Sequence, residues 1–123
     1  MIQEYQDLLK AAPKANVLIV SSIAGYQVSS TLGIYAVTKT ALLGMTKLLA
    51  TELGEDGIRV NGIAPGAIQT DFLGPLGDAM KEAGTPVGVP EDIEGAAAFL
   101  CSNEARFVIG ETLVVAGGPQ VRL

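Results

Sequence analysis

The sequence predicts an α/β fold built on a parallel sheet. Two observations point there. Segments of strand character alternate with segments of helical character along the chain, the pattern of crossover connections. Val17 to Val20 is an unbroken aliphatic run, which reads as a strand covered on both faces, as parallel strands are. A third observation excludes the alternatives of disorder and a membrane span. Apolar residues make up 49% of the chain, enough for a core, yet no run is long enough to cross a bilayer.

The elements follow in order. Ile2, Tyr5, Leu8, Leu9 and Ala12 fall on one helical stripe, and Pro13 stops it. Ser21 to Gly25 leaves the first strand as a loop of small residues, and a turn-rich stretch reaches Gly33. A long helix is predicted from about Tyr35 to Leu53. Its inner stripe is Tyr35, Lys39, Leu42, Thr46, Leu49 and Leu53, with Gly54 as its C-terminal cap. Ile58 to Ala64 reads as the second strand, broken by Pro65-Gly66, and a loop with helical pieces runs to Gly88. Pro90 suits the first position of a helix, with Glu91 and Asp92 favouring its positive end. Ile93, Ala96, Ala97 and Leu100 form the buried face of that helix. Thr112 to Ala116 is the last strand, ended by Gly117-Gly118-Pro119.

Composition narrows the function. A chain of 123 residues is one small domain or part of a larger one. Its net charge of −5 and eight scattered basic residues argue against binding nucleic-acid phosphates. Cys101 is the only cysteine, so no internal disulfide forms, and the residue is expected to pack as a small hydrophobe. The absence of histidine excludes a Cys–His nucleophile and argues against a zinc site. No basic stretch leading into an apolar one, the pattern of a secretory signal, opens the sequence.

The chemistry gathers at Tyr35-Ala-Val-Thr-Lys39, with Ser22 thirteen positions before Tyr35. Residues four apart on a helix lie one above the other, so an ammonium is set beside a phenol. A phenol ordinarily ionises near pH ~10, and a nearby cation favours the phenolate, which makes such a group a workable general acid or base. Ser22 ends a strand beside the helix start, where a hydroxyl can donate to a carbonyl oxygen. Taken alone, each part has an ordinary reading. Tyr-x-x-x-Lys is a common spacing, Ser-Ser after a strand is usually a turn, Pro65-Gly66 is a loop start, and Thr70 is a cap ahead of Asp71. The combination and order are what restrict it.

On these residues the chain resembles the C-terminal half of a short-chain dehydrogenase/reductase. The matching segments are Val17-Leu-Ile-Val-Ser-Ser22, Tyr35-Ala-Val-Thr-Lys39, Ile58-Arg-Val-Asn-Gly-Ile-Ala-Pro-Gly66 with Thr70, Pro90-Glu-Asp-Ile93, and Gly110-Glu-Thr-Leu-Val-Val-Ala-Gly-Gly118. Leu42-Leu-Gly-Met-Thr-Lys47 and the Arg122-Leu123 ending are similar to the NADP-dependent carbonyl reductase subgroup, found in cytosol or peroxisomes. The resemblance implies the C-terminal portion of a Rossmann-like, doubly wound sheet. It implies NAD(P)-dependent reduction of carbonyls or oxidation of alcohols, with small-molecule substrates and homo-oligomers. Ser22 would orient the carbonyl, Tyr35 would exchange a proton with its oxygen, and Lys39 would support Tyr35 and bind the nicotinamide ribose. Pro65, Gly66, Ile68 and Thr70 would meet the nicotinamide and its carboxamide.

The resemblance also implies departures. No Gly-rich strand-to-helix turn precedes Ser22, so residues 1–123 are expected to be the catalytic part of a domain, without its dinucleotide-binding half. NAD and NADP are then not distinguished. The 17–20 strand would pair in the family with a strand not in this sequence, leaving an apolar edge and a tendency to associate. The stretch from Thr70 to Pro90 is short for the subgroup, and Pro86 stands where an Arg is common. Two other readings stay open: a catalytically inactive chain acting through association, and a small α/β binding module in which Tyr35 and Lys39 are structural.

Overall fold

The computed structural model describes residues 2–27 and 32–118. Val121, Arg122 and Leu123, considered above for targeting, lie outside them, as does Pro119. Among the described residues three parallel strands form one sheet in the order β1-β2-β3, where β1 is Asn16–Val20, β2 Arg59–Pro65 and β3 Thr112–Val115. The helices are α1 (Gln6–Ala11), α2 (Gly33–Gly54), α3 (Pro75–Glu82) and α4 (Glu91–Cys101). The α/β parallel architecture expected from the sequence is the one observed. No helix among the described residues is long and apolar enough to cross a membrane.

The alternation of strand side chains divides the core into two layers. Val17 pairs with Val60 and Ile19 with Gly62, so these positions share one face of the sheet. There Ile19 and Val60 pack with Ile58, Ala50 and Leu53, and Leu42 and Leu49 pack against the cluster. The inner stripe of α2 thus covers this face, with Thr46 and Ala36 fully buried along it. The opposite face carries Asn16, Arg59 and Asn61, and polar bonds tie it to α4 and the turn after it. Arg59 donates through one terminal nitrogen to the carbonyls of Leu100 (2.9 Å) and Ala105 (3.3 Å) and through the other to Ser102 (3.0 Å). A guanidinium at the end of α4 meets the carbonyls that the last helical turn leaves unpaired. Asn61, 2% exposed in the central strand, donates to the Val108 carbonyl (2.8 Å) and accepts from the Glu111 N–H (3.1 Å).

Several expectations are corrected. Tyr5 and Leu8 are exposed, because Gln3–Tyr5 is a tighter 3₁₀ turn that shifts the phase before α1, and only Ile2 and Leu9 reach the core. The strand starting near Ile58 begins at Arg59 and includes Pro65, the last residue paired with β3. Gly54 is the last residue of α2 rather than its cap. The left-handed residue that turns the chain is Gly57 (φ 74°), with the Ile58 N–H returning to the Leu53 carbonyl. Pro90 precedes α4, and the Val89 N–H is taken by Asp92 Oδ2 at 2.8 Å. Only Leu100 of the expected α4 face is buried, with Ile93, Ala96 and Ala97 half-buried. Cys101 is exposed rather than packed, since Leu100 takes the inward position and the next residue turns outward. The 17–20 run is not covered on both faces: β1 is an edge of the described sheet and Val20 is 54% exposed.

Asn61 joins β2 to two points of the chain leading into β3. Truncation in Asn61→Ala leaves a buried carbonyl and N–H without partners, and is expected to destabilise the fold by about 1–3 kcal/mol. The check is the urea or thermal unfolding midpoint of the 123-residue chain.

Candidate functional site

Parallel strands deliver their carboxyl ends to one edge of the sheet, and the loops after β1, β2 and β3 meet there. A cavity of about 700 Å³ opens at this edge, and its walls include Ser22, Tyr35, Gly66, Phe72, Leu76 and Ala116. Ser22 follows β1, Gly66 follows β2 and Ala116 follows β3, so the loop after each strand contributes to the wall. No charged side chain lines it among the described residues.

Each side chain is held by an identifiable feature. Ser22 is buried in extended conformation, and its Oγ accepts the Ala24 N–H at 3.2 Å, starting the short turn Ile23–Gly25. A hydroxyl that accepts this bond keeps its own proton for a ligand. Tyr35 lies in the first turn of α2, half-buried, with the Phe72 ring tilted against it at 6.1 Å between centroids. Phe72 itself is 82% exposed and brings the segment before α3 over the phenol. Lys39 lies one turn further along α2. Its Nζ donates to the Val20 carbonyl at 3.0 Å and stands 5.7 Å from the centroid of the Tyr35 ring. The ammonium is therefore anchored at the carboxyl end of β1 beside the phenol, with two further N–H donors on the same nitrogen.

The segment after β2 is set by backbone contacts. The Gly66 N–H donates to the Val115 carbonyl at 2.9 Å, and a Cβ at this position would stand 2.8 Å from Ala116 Cα. Only glycine lets the ends of β2 and β3 lie this close. Ile68 forms a parallel bridge with Gly88 through the flanking Ala67 carbonyl and Gln69 N–H, both bonded to Gly88. In that pattern the N–H and C=O of Ile68 itself point away from Gly88. Thr70, exposed, reaches the Ile68 carbonyl through its Oγ1 at 3.4 Å, so these two groups lie together.

Of the residues singled out from the sequence, Ser22, Tyr35 and Gly66 share the cavity wall. Lys39 stands behind Tyr35 rather than on the wall; Pro65, the last residue of β2, and Ile68 and Thr70 beyond it also lie off the wall. Sequence reasoning missed Phe72, Leu73, Leu76 and Met80, the apolar wall contributed by α3 and the turn before it. The spacing of Leu73, Leu76 and Met80 is helical and was available as a clue. A second hollow of about 400 Å³, lined by Lys14, Gly57, Arg59 and Arg106 among others, lies at the opposite end of the strands. Its Arg59 is already committed to three carbonyls. Among the described residues no cluster of side chains could hold a metal ion.

A serine hydroxyl and a tyrosine phenol thus line one apolar cleft, with one cation behind the phenol. Around this edge lie the close backbone approach at Gly66 and the Lys39 ammonium with donors to spare.

Comparison with known proteins agrees with this architecture. Residues 1–120 match the family described as enoyl-(acyl carrier protein) reductase. The dehydrogenase/reductase SDR family member 4 of Homo sapiens is 47% identical over 116 residues, covering 88% of this chain and 42% of that protein. The tropinone reductase-like 3 of Erythroxylum coca is 41% identical over 128 residues, covering 94% of this chain and 49% of that one. A 7α-hydroxysteroid dehydrogenase solved with NADH and 7-oxo glycochenodeoxycholic acid superposes with a TM-score of 0.83 at 35% identity, over 95% of this chain and 49% of that one. A short-chain type dehydrogenase/reductase from Mycobacterium ulcerans gives 0.85 at 32% identity, over 95% and 46%. The chain spans less than half the length of each of these relatives.

The tight approach at Gly66 yields a prediction. Gly66→Ala forces the ends of β2 and β3 apart at the cavity wall and is expected to cost about 1–3 kcal/mol of stability, read from the unfolding midpoint.

Proposed function

The chain belongs to the short-chain dehydrogenase/reductase family, and on that premise we propose that its cavity carries out carbonyl–alcohol interconversion with a nicotinamide cofactor, by a Ser22-Tyr35-Lys39 mechanism. The observation that carries this reading is one arrangement: Ser22 and Tyr35 on one cavity wall, with the Lys39 ammonium 5.7 Å from the Tyr35 ring.

The roles follow from geometry and charge. Ser22 donates its free proton to the substrate oxygen and fixes the carbonyl. Tyr35 gives its phenolic proton to that oxygen during reduction and takes it back during oxidation. Lys39, anchored on the Val20 carbonyl, stabilises the negative charge left on the phenol oxygen, and its two spare donors suit ribose hydroxyls. Pro65 and Gly66 would present their backbone to the nicotinamide ring. The Ile68 backbone and Thr70 hydroxyl suit its carboxamide. A bound nicotinamide, NAD or NADP, supplies the hydride donor or acceptor; the protein supplies position and electrostatics. Phe72, Leu73, Leu76 and Met80 give the cleft an apolar wall, suited to small, uncharged substrates. On this reading residues 1–123 are the catalytic part of a Rossmann-like domain.

A specific observation favours a second reading, action through association. Ile34, Val37, Met45 and Leu48 follow helical spacing along α2 and are all exposed, Ile34 to 82%. This stripe faces away from the core and is the surface on which homo-oligomers would form.

Titration of the chain with NADPH and NADH, followed by nicotinamide fluorescence or calorimetry, decides between the two. Micromolar affinity supports the catalytic reading; no binding, with a self-associated species in sedimentation, supports the second. Where turnover is measured, Tyr35→Phe is expected to lower kcat by about 10²–10⁴-fold with nucleotide affinity little changed. Val37→Asp is expected to shift the sedimentation profile toward monomer while nucleotide binding persists.

A further inference from the structure

We infer that Ser21 is a positioning residue: its hydroxyl clamps the loop bearing Ser22 onto the turn of α2 that carries Tyr35 and Lys39. The inference rests on the functional reading above for its consequence, but the clamp itself is a matter of contacts.

Three contacts converge. Ser21 is 3% exposed, its N–H donates to the Ile63 carbonyl of β2 at 2.8 Å, and its Oγ donates to the Lys39 carbonyl at 2.7 Å. That carbonyl lies in mid-helix, where the regular ladder already supplies a partner, so the serine bond is an addition that serves another end. One residue on, Thr40 Oγ1 lies 2.9 Å from the Gly25 carbonyl and 2.9 Å from the Ala36 carbonyl, and its hydroxyl can donate to either. Between them Gly25 presses on the helix. A Cβ there would stand 2.9 Å from both C and O of Lys39 and 3.2 Å from Ser21 Oγ.

The segment from Ser21 to Gly25 is thus tied at both ends to one helical turn, with Ser22 in between. Its internal turn is closed by the Gly25 N–H on the Ser22 carbonyl at 2.9 Å. The path from Ser22 to Lys39 passes through one residue and one hydrogen bond. An oxygen held jointly by Ser22 and Tyr35 depends on that spacing, since a displacement near 1 Å can cost about 10²-fold in rate. Thr46 provides the contrast. It is fully buried in the same helix, yet its Oγ1 donates only to the Leu42 carbonyl of its own helix at 2.8 Å. Losing either hydroxyl removes one bond from a buried place; only the serine joins two elements of the site.

The test compares Ser21→Ala, Ser21→Thr and Thr46→Val by two readouts: ¹³C resonances of the Tyr35 ring, and NADPH affinity. Ser21→Ala is expected to displace the Tyr35 ring resonances and weaken NADPH binding by about threefold to tenfold. Ser21→Thr restores both, and Thr46→Val leaves both as in the unmodified chain despite a comparable drop in melting temperature. Unmoved Tyr35 resonances in Ser21→Ala, or an equal displacement in Thr46→Val, overturn the inference. If Ser21→Ala does not fold, Thr40→Val, which releases only the Gly25 side, is measured with the same two outcomes. If the unmodified chain binds no NADPH, the functional reading fails while the ring resonances still decide the clamp.

Discussion

The bond between Lys39 Nζ and the Val20 carbonyl is the constraint around which the site is arranged. It joins α2 to the carboxyl end of β1, and so puts a positive charge at the place where the sheet opens to the cavity. A lysine side chain has many rotamers, and holding one costs conformational entropy. Here that cost is offset by a carbonyl at the strand end, which β1 leaves open because β1 pairs only with β2 among the described strands. Tyr35 shares the charge by position, one turn back along the same face. Moving α2 by one residue would carry the Lys39 ammonium away from the Val20 carbonyl.

The rest of the fold serves that registry. On one face Ile19, Val60, Ala50 and Leu53 interlock and set how α2 lies across the sheet. On the other, Arg59 and Asn61 replace apolar packing with directed bonds to α4 and the chain before β3. Apolar burial contributes most of the driving force but is indifferent to small sliding, whereas directed bonds fix position. The site sits where the two kinds of constraint meet, at the carboxyl ends of the strands.

The apolar surface that remains is unevenly placed. Val20 at the sheet edge and the outward stripe of α2 expose residues that an isolated domain would normally cover. The same helix therefore has two faces with different tasks. Its inner stripe builds the core and the site, and its outer stripe is available to another surface. A 22-residue helix can do both because the 3.6-residue period keeps the stripes separate.

The residues alone determined the α/β class, the helix that carries Tyr35 and Lys39, and their shared face, because each depends on spacing along a single element. The alternation of strands with helices was legible for the same reason, whereas the strand end expected at Ala64 moved to Pro65 because that residue pairs with Val115. Tertiary structure decided what depends on elements distant in the chain. It set Lys39 against Val20, laid Phe72 on Tyr35, joined Ser21 to the Lys39 carbonyl across 18 positions, and turned Ile68 by its bridge to Gly88. It also turned Cys101 and Leu8 outward, where periodicity or composition had suggested burial. Local spacing fixes which side chains share a face; only packing fixes what that face meets.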